Sequence, residues 1–267
     1  MKIKIFLFII IFGGITATSQ GLILLNKELY KARVKLVDEF FARFDGKELA
    51  PGINPNAEDA QRQNLCLLLD FDAIKSNIDY NYAAAIEFVD TIIANNTQVN
   101  YTDTLWYAKA DCSALLNGKP VELTLFLTVE HRQKNMWKWV INNAGGECLD
   151  LHPAETPKNT MILPDDHEIN FMSLSHITKG NYDRITLFAQ KGYGPDPLTS
   201  FFSLVYNGLL KIEYVRDLEF TFLQVPGYEF TIRFFERDSS NSGWLISSFT
   251  KKTEDEKNKT IKTILKR

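Results

Sequence analysis

Apolar residues recur along this chain at two periods, first helical and then strand-like. In "NKELYKARVKLVDEFFARFDG" (26–46), Tyr30, Val34, Val37, Phe41 and Phe44 are spaced by four, three, four and three residues, and Leu36 and Phe40 widen the stripe. That spacing places them on one face of a long helix, with Asn26 placed to cap its start and Gly46 its end. A second helix is predicted over "YNYAAAIEFVDTIIANN" (80–96). Between them "GKELAPGINPN" reads as loop, and "EDAQRQNLCLLLDFDAI" leans towards helix. From residue 105 the period falls to two. "LWYAKADCSALL" (105–116) alternates Trp106, Ala108, Ala110, Cys112, Ala114 and Leu116 against Tyr107, Lys109 and Asp111. "VELTLFLTVEH" (121–131) alternates Val121, Leu123, Leu125 and Leu127 against Glu122 and Thr124, and "KWVINNA" (138–144) follows. Alternation of this kind belongs to antiparallel strands with one face buried and one solvated.

The same sentence is then spelled again. "KIEYVRDLEFTF" (211–222), "YEFTIRFFER" (228–237) and "GWLISSF" (243–249) repeat the order strand, turn, strand, turn, strand. Val121–Leu125 lies over Tyr228–Ile232 with Glu on Glu and Thr on Thr, and Trp139–Asn143 lies over Trp244–Ser248. The slack is confined to the turns, where insertions are tolerated. Each triplet follows helical sequence. In the second copy this includes "DPLTSFFSLVYNG" (196–208), with Asp196 as N-cap, Pro197 at the first helical position and Gly208 beyond the end. Helices followed by antiparallel strands, twice over, make an α+β architecture in tandem. The expected organisation is a leader over 1–19, a first unit over 20–144, a linker over 145–164, a second unit over 165–250 and a charged tail over 251–267.

A long helix held by a curved antiparallel sheet, in units of roughly 120 residues, resembles the NTF2-like (cystatin-like, SnoaL-like) cone fold. The phrases "RVKLVDEFFARFDG" and "NSGWLIS" are also similar to exported proteins of unassigned function in Bacteroidetes. The resemblance implies two cones, each a curved sheet packed on helices. Its motifs are structural, and the family hosts isomerases, dehydratases and plain binding modules alike, so fold alone does not assign an activity.

The first nineteen residues have the form of a signal peptide. Lys2 and Lys4 precede the apolar run "IFLFIIIF" (5–12), and Ala17-Thr18-Ser19 has the small-x-small pattern of a cleavage site between Ser19 and Gln20. The run is too short to cross a roughly 30 Å hydrocarbon core. A periplasmic or secreted protein with no membrane span after cleavage is expected. Losing Lys2 and Lys4 leaves 28 basic against 33 acidic side chains, the opposite of a nucleic-acid footprint. Three cysteines, Cys66, Cys112 and Cys148, are too few for a disulfide scaffold and leave at least one thiol free. The tail "TKKTEDEKNKTIKTILKR" alternates charge and is expected to be solvated or partly helical.

Little in the sequence suggests a reaction. His131, His152, His167 and His176 lack zinc-site spacing, Cys-x-x-Cys is absent, and no nucleophile elbow, P-loop or dinucleotide fingerprint occurs. Neither metal nor cofactor is expected. Enzymes of the cone fold project a buried Asp or His into the cone, where burial shifts its pKa. Here the predicted inner faces carry Val, Leu, Ile, Phe, Tyr and Trp, while Glu122, Glu229 and Asp111 fall outward by strand parity, with Tyr107 beside the last, and Asp38 follows the helix-stripe residue Val37 and faces solvent. No catalytic residue is assigned. Trp139, Trp244, Tyr228 and Phe230 are the candidate ligand-binding residues at a cone rim or in its core. The expected function is that of an exported, non-catalytic binding or interaction protein of the cell envelope, for a small apolar ligand or a protein partner. The alternative is a ketosteroid-isomerase or dehydratase-type enzyme acting in one cone.

Overall fold

The computed structural model describes residues 37–75, 82–132, 136–150, 189–190, 193–237 and 242–266. The leader with Ser19 and Gln20, the first turns of the long helix, and His152, His167 and His176 lie outside the described residues. Within them the chain is α+β. Helices α1 (Val37–Phe44), α2 (Ala60–Leu67), α3 (Phe71–Lys75) and α4 (Tyr82–Ala94) precede strands β1 (Trp106–Leu116), β2 (Lys119–Arg132) and β3 (Met136–Gly145). Helix α5 (Pro197–Tyr206) then leads into β4 (Leu210–Phe222), β5 (Tyr228–Phe235) and β6 (Gly243–Lys251), and the chain closes with α6 (Glu254–Thr260) and a π-helical turn, Ile261–Leu265.

The two strand triplets do not stand as two separate sheets. They join edge to edge in one six-stranded antiparallel sheet of order β3-β2-β1-β4-β5-β6. β1 is paired along its whole length, from Trp106 opposite Phe222 to Leu116 opposite Leu210. The equivalence that lays 105–116 over 211–222 makes Asp111 and Asp217 counterparts, and these two residues face each other across the β1–β4 seam. The copies therefore meet about a local twofold at that pair. Away from the seam the symmetry is lost. The tight turn at Asn117-Gly118 sets Ala114 opposite Val121, whereas Phe220, the counterpart of Ala114, lies opposite Ile232 rather than Tyr228. A longer β4–β5 loop moves the second hairpin by four residues, and hairpin register follows loop length.

Strand alternation is observed as predicted. In β1, Trp106, Ala108, Ala110, Cys112 and Ala114 are buried and the residues between them half-exposed. The inner face carries two apolar clusters. Over one end, Val37, Phe40, Phe41 and Phe44 of α1 and Phe88 of α4 pack on Trp106, Phe222 and Phe230. Over the other, Phe201 of α5 packs on Ala110, Cys112, Leu123, Leu125 and Ala144. Leu127 and Leu218 touch both clusters. Stacked rings fill the first: Phe44 on Phe230 at 5.4 Å, Phe222 on Phe230 at 4.8 Å and Trp106 on Phe222 at 5.4 Å. Such pairs are worth about 0.5–1.5 kcal/mol each beyond their buried area.

Two segments differ from the sequence expectation. The stretch leaning towards one helix is two short helices, because Leu68–Asp70 pairs with the edge of β6: Ile246 N donates to Leu68 O (2.7 Å) and Asp70 N to Ile246 O (2.9 Å). The tail is helical but not simply solvated. Thr253 and Glu256 close a capping box, Lys257 and Leu265 are buried, and Lys257 Nζ donates to the carbonyls of Leu223 (3.0 Å) and Val225 (2.6 Å). Charge alternation reads as a solvated face. Which of its lysines meets buried carbonyls depends on the β4–β5 loop.

Candidate functional site

Two surfaces on this scaffold carry chemistry. The first is the outward sheet face at the β1–β4 seam. Asp111 and Asp217 are opposite each other, an unfavourable pairing unless neutralised. Lys109 Nζ lies 3.5 Å from Asp111 and 3.1 Å from Glu219, and Arg233 pairs with Asp217. Burial works against the charged Lys109 amine, but its hydrogen bond to Glu219 and the nearby Asp111 hold its pKa above the ordinary lysine value. The Thr124 hydroxyl donates to Asp111 at 2.6 Å, and Arg216 donates to Glu122 at 2.5 Å. Arg216 is the extra residue where the β1–β4 register shifts between Asp111 and Cys112. That bulge turns its guanidinium towards β2.

Beside this network opens a cleft of about 730 Å³, lined by Asp111, Glu122, Thr124, Arg216, Glu147 and Cys148 among others. Its wall depends on Gly146, whose φ of +141° is closed to most side chains and where a Cβ would stand 2.8 Å from Glu122 O. The 3-10 turn Glu147–Leu149 follows directly. Cys148 is half-buried, and burial, ahead of the nearby Asp150, raises its thiol pKa. Cys112, in the inner-face cluster that Cys148 packs against, is pushed up to about 11, mainly by burial and next by Asp111. These thiols are protonated at neutral pH and poorly nucleophilic. Cys66, Cys112 and Cys148 are all free.

The second surface is aromatic, and it divides the four sequence-predicted binding residues. Tyr228, Phe230 and Trp244 are core. Tyr228 packs on Phe88 at 5.2 Å, Phe230 lies within the ring stack, and Trp244, 4% exposed, sits 4.9 Å from Phe220 and 5.7 Å from Phe234. Trp139 is 39% exposed on edge strand β3, 5.2 Å from Trp106 and 6.2 Å from Phe220. Trp139 and Trp244 thus flank the same Phe220 ring, but the register shift leaves one half out of the protein and the other closed in. Trp137, two residues before Trp139 and on the same side of the strand, is exposed to a similar degree and packs on His131 at 4.8 Å. Met136 is exposed beside it. Trp137 was not singled out from the sequence, although two tryptophans at period two were the available signal.

Asp38 is exposed on α1, where it accepts from Tyr101. Burial, with Asp38 second, lifts the Tyr101 phenol to about 12. Burial also raises Tyr107, whose ring lies 6.1 Å from Phe126 on the outward face. Glu122 is exposed and Glu229 half-exposed. Among the described residues, no three His, Cys, Asp or Glu side chains converge on a common point for a metal, and no helix is long and apolar enough to cross a membrane. Compared with protein-family models, curated proteins and solved structures, the chain matches none.

Proposed function

We propose that this chain is an exported binding protein of the cell envelope, without a catalytic step of its own, built from two fused units of NTF2-like type. Its contact surface is the tryptophan-bearing corner of the sheet. The observation that carries this is the pair Trp137 and Trp139, half out of the protein on one side of an edge strand, with Trp139 seated on the buried Trp106 ring. Aromatic side chains held rigidly and left partly exposed present large apolar area at small entropic cost, as interface residues do. The aromatic stack beneath supports the corner and fills the space an open cone would need. Export rests on the leader, and the mature chain is expected to begin at Gln20.

The test uses an apolar naphthalene-sulfonate dye as probe. It should bind the purified chain with quenching of tryptophan emission. The double variant Trp137→Ala/Trp139→Ala should bind at least tenfold more weakly while keeping its circular dichroism. Equal binding by the double variant would remove the corner from the proposal.

A second reading, an isomerase- or dehydratase-type enzyme, is favoured by one observation: Asp111 lines the cleft and its carboxylate accepts from Thr124. That cleft is polar and lies outside the aromatic core, so an apolar substrate gains little there by burial. Turnover of a ketosteroid-like substrate that disappears in Asp111→Asn would establish this reading instead.

A further inference from the structure

An open sheet has two edges, and the chain covers part of each. The β6 edge bonds residues 68–70, and the far half of β3 meets the C-terminal turn, to which Asn142 and Asn143 donate. No backbone hydrogen bond from another described segment reaches the start of β3, residues 136–140. The direction of its backbone groups follows from the hairpin at the other end of β2. Asn117 and Gly118 both have positive φ, 50° and 78°, as a two-residue type I′ turn requires. That turn closes on a hydrogen-bonded pair, here Leu116 and Lys119. Bonding alternates from there, so odd-numbered residues of β2 bond β1 and even-numbered residues bond β3. Glu122 O, which meets Cys148 Sγ past the end of β3, keeps to that parity. On β3 it is then Met136, Lys138 and Val140, opposite Arg132, Glu130 and Thr128, that bond β2. Trp137 and Trp139 direct their N–H and C=O groups out of the sheet. Edges are ordinarily blunted by lysine, proline or a bulge, whereas these two outward residues are exposed tryptophans.

We propose that this stretch takes an extended peptide segment of a partner protein as a seventh, antiparallel strand. The inference rests on the tryptophan corner being the contact surface, and it names what the corner contacts. The N–H and C=O of Trp137 and Trp139 are matched by a second extended backbone in antiparallel register. Peptide residues opposite the two tryptophans share the face that carries both rings, so they are β-branched or aromatic. The residue between them falls opposite Lys138, on the other face. There Lys138 Nζ lies 3.3 Å from Glu130, and Arg132 is exposed on the same face. Two bases against one acid favour an acidic side chain on the incoming strand, since opposite charges across strands attract. The same charges weigh against a second copy as the occupant. Pairing β3 with itself in the register that sets Trp137 on Trp139 also sets Lys138 on Lys138, a repulsive pair.

The probe is a seven-residue peptide, acetylated and amidated, in which valine alternates with threonine about a central aspartate. In amide hydrogen exchange on the chain freed of residues 1–19, the Trp137 and Trp139 amides should exchange freely alone and be protected with the peptide. Methylating the backbone nitrogens of the two valines beside the aspartate should weaken binding by about tenfold or more. Methylating that of the aspartate, which points away from β3, should leave binding unchanged, and replacing the aspartate by lysine should weaken it. Protection of both tryptophan amides in the free chain would mean that the chain itself or a second copy already holds the edge, and it overturns the proposal. Equal binding of the valine-methylated peptide overturns it too. If Trp137→Ala/Trp139→Ala then weakens both peptides alike, strand addition fails and the corner stands as a contact surface. If the double variant binds both peptides and the dye as the wild type does, the corner fails with it.

Discussion

Phe230 and Trp139 show how much one side chain's surroundings decide. Phe230 is enclosed by Phe44, Phe88 and Phe222, so Phe230→Ala removes both buried area and ring contacts. A loss of about 3–5 kcal/mol in denaturant unfolding is expected. Trp139→Ala, with much of its ring already in solvent, should cost about 1 kcal/mol and act mainly on binding. Asp70 makes a second contrast. Its carboxylate is buried, caps α3 through the amides of Asp72 and Ala73, and pairs with Arg237 at 2.5 Å. Asp70→Ala removes a cap and a charge partner together and should destabilise by about 3 kcal/mol. Cys112 gives a pH-dependent expectation. Its folded pKa lies above that of the free thiol, so its contribution to stability is full below the unfolded value and falls as pH rises through the window up to about 11. In the native protein at pH 8, iodoacetamide should label Cys66 and Cys148 slowly and leave Cys112 unmodified until denaturant is added.

At the scale of elements, the C-terminal segment does more than its composition suggests. It leaves β6 through the Thr253 capping box, sends Lys257 to the β4–β5 loop, and ends at β3, where Asn143 donates to Thr263 O (3.2 Å) and Asn142 to Leu265 O (3.0 Å). Lys266 then reaches Asp196 at the start of α5. The segment is a strap between the two strand triplets. Removing residues 253–267 strips a buried leucine, the lysine that donates to the Leu223 and Val225 carbonyls and the acceptors of the Asn142 and Asn143 amides, a loss of about 2–4 kcal/mol. The melting temperature should fall by on the order of 10 °C, and a loss of only a degree or two would show that the strap is ornamental. The start and end of α5 and the parity of β1 were legible in the sequence, since Asp196-Pro197, Gly208 and strand alternation are local signals, whereas the break between α2 and α3 was not, because it depends on the edge of β6. The strap was not, because nothing local distinguishes Lys257 from its solvated neighbours.

At the scale of the molecule, the seam between β1 and β4 decides how the chain behaves as a body. Were the triplets independent, residues 20–150 and 151–267 expressed separately would each fold. With β1 and β4 paired along the whole of β1, each half alone exposes a long strand edge with unpaired backbone groups and loses part of its cover. We expect neither half to give a cooperative unfolding transition by itself, while the whole chain unfolds in a single step. Two separable transitions in calorimetry would count against the shared sheet as the folding unit.

Sequence alone determined the order of helices and strands along most of the described chain, the inward faces of β1 and β5, and that one strand pattern occurs twice, because periodicity and capping are local properties of the chain. Only the tertiary structure decided that the two patterns share one sheet, that their registers differ, and hence that Trp139 is half-exposed while Trp244 is buried. Those outcomes depend on loop length and on pairing between strands a hundred residues apart, and no local period encodes either.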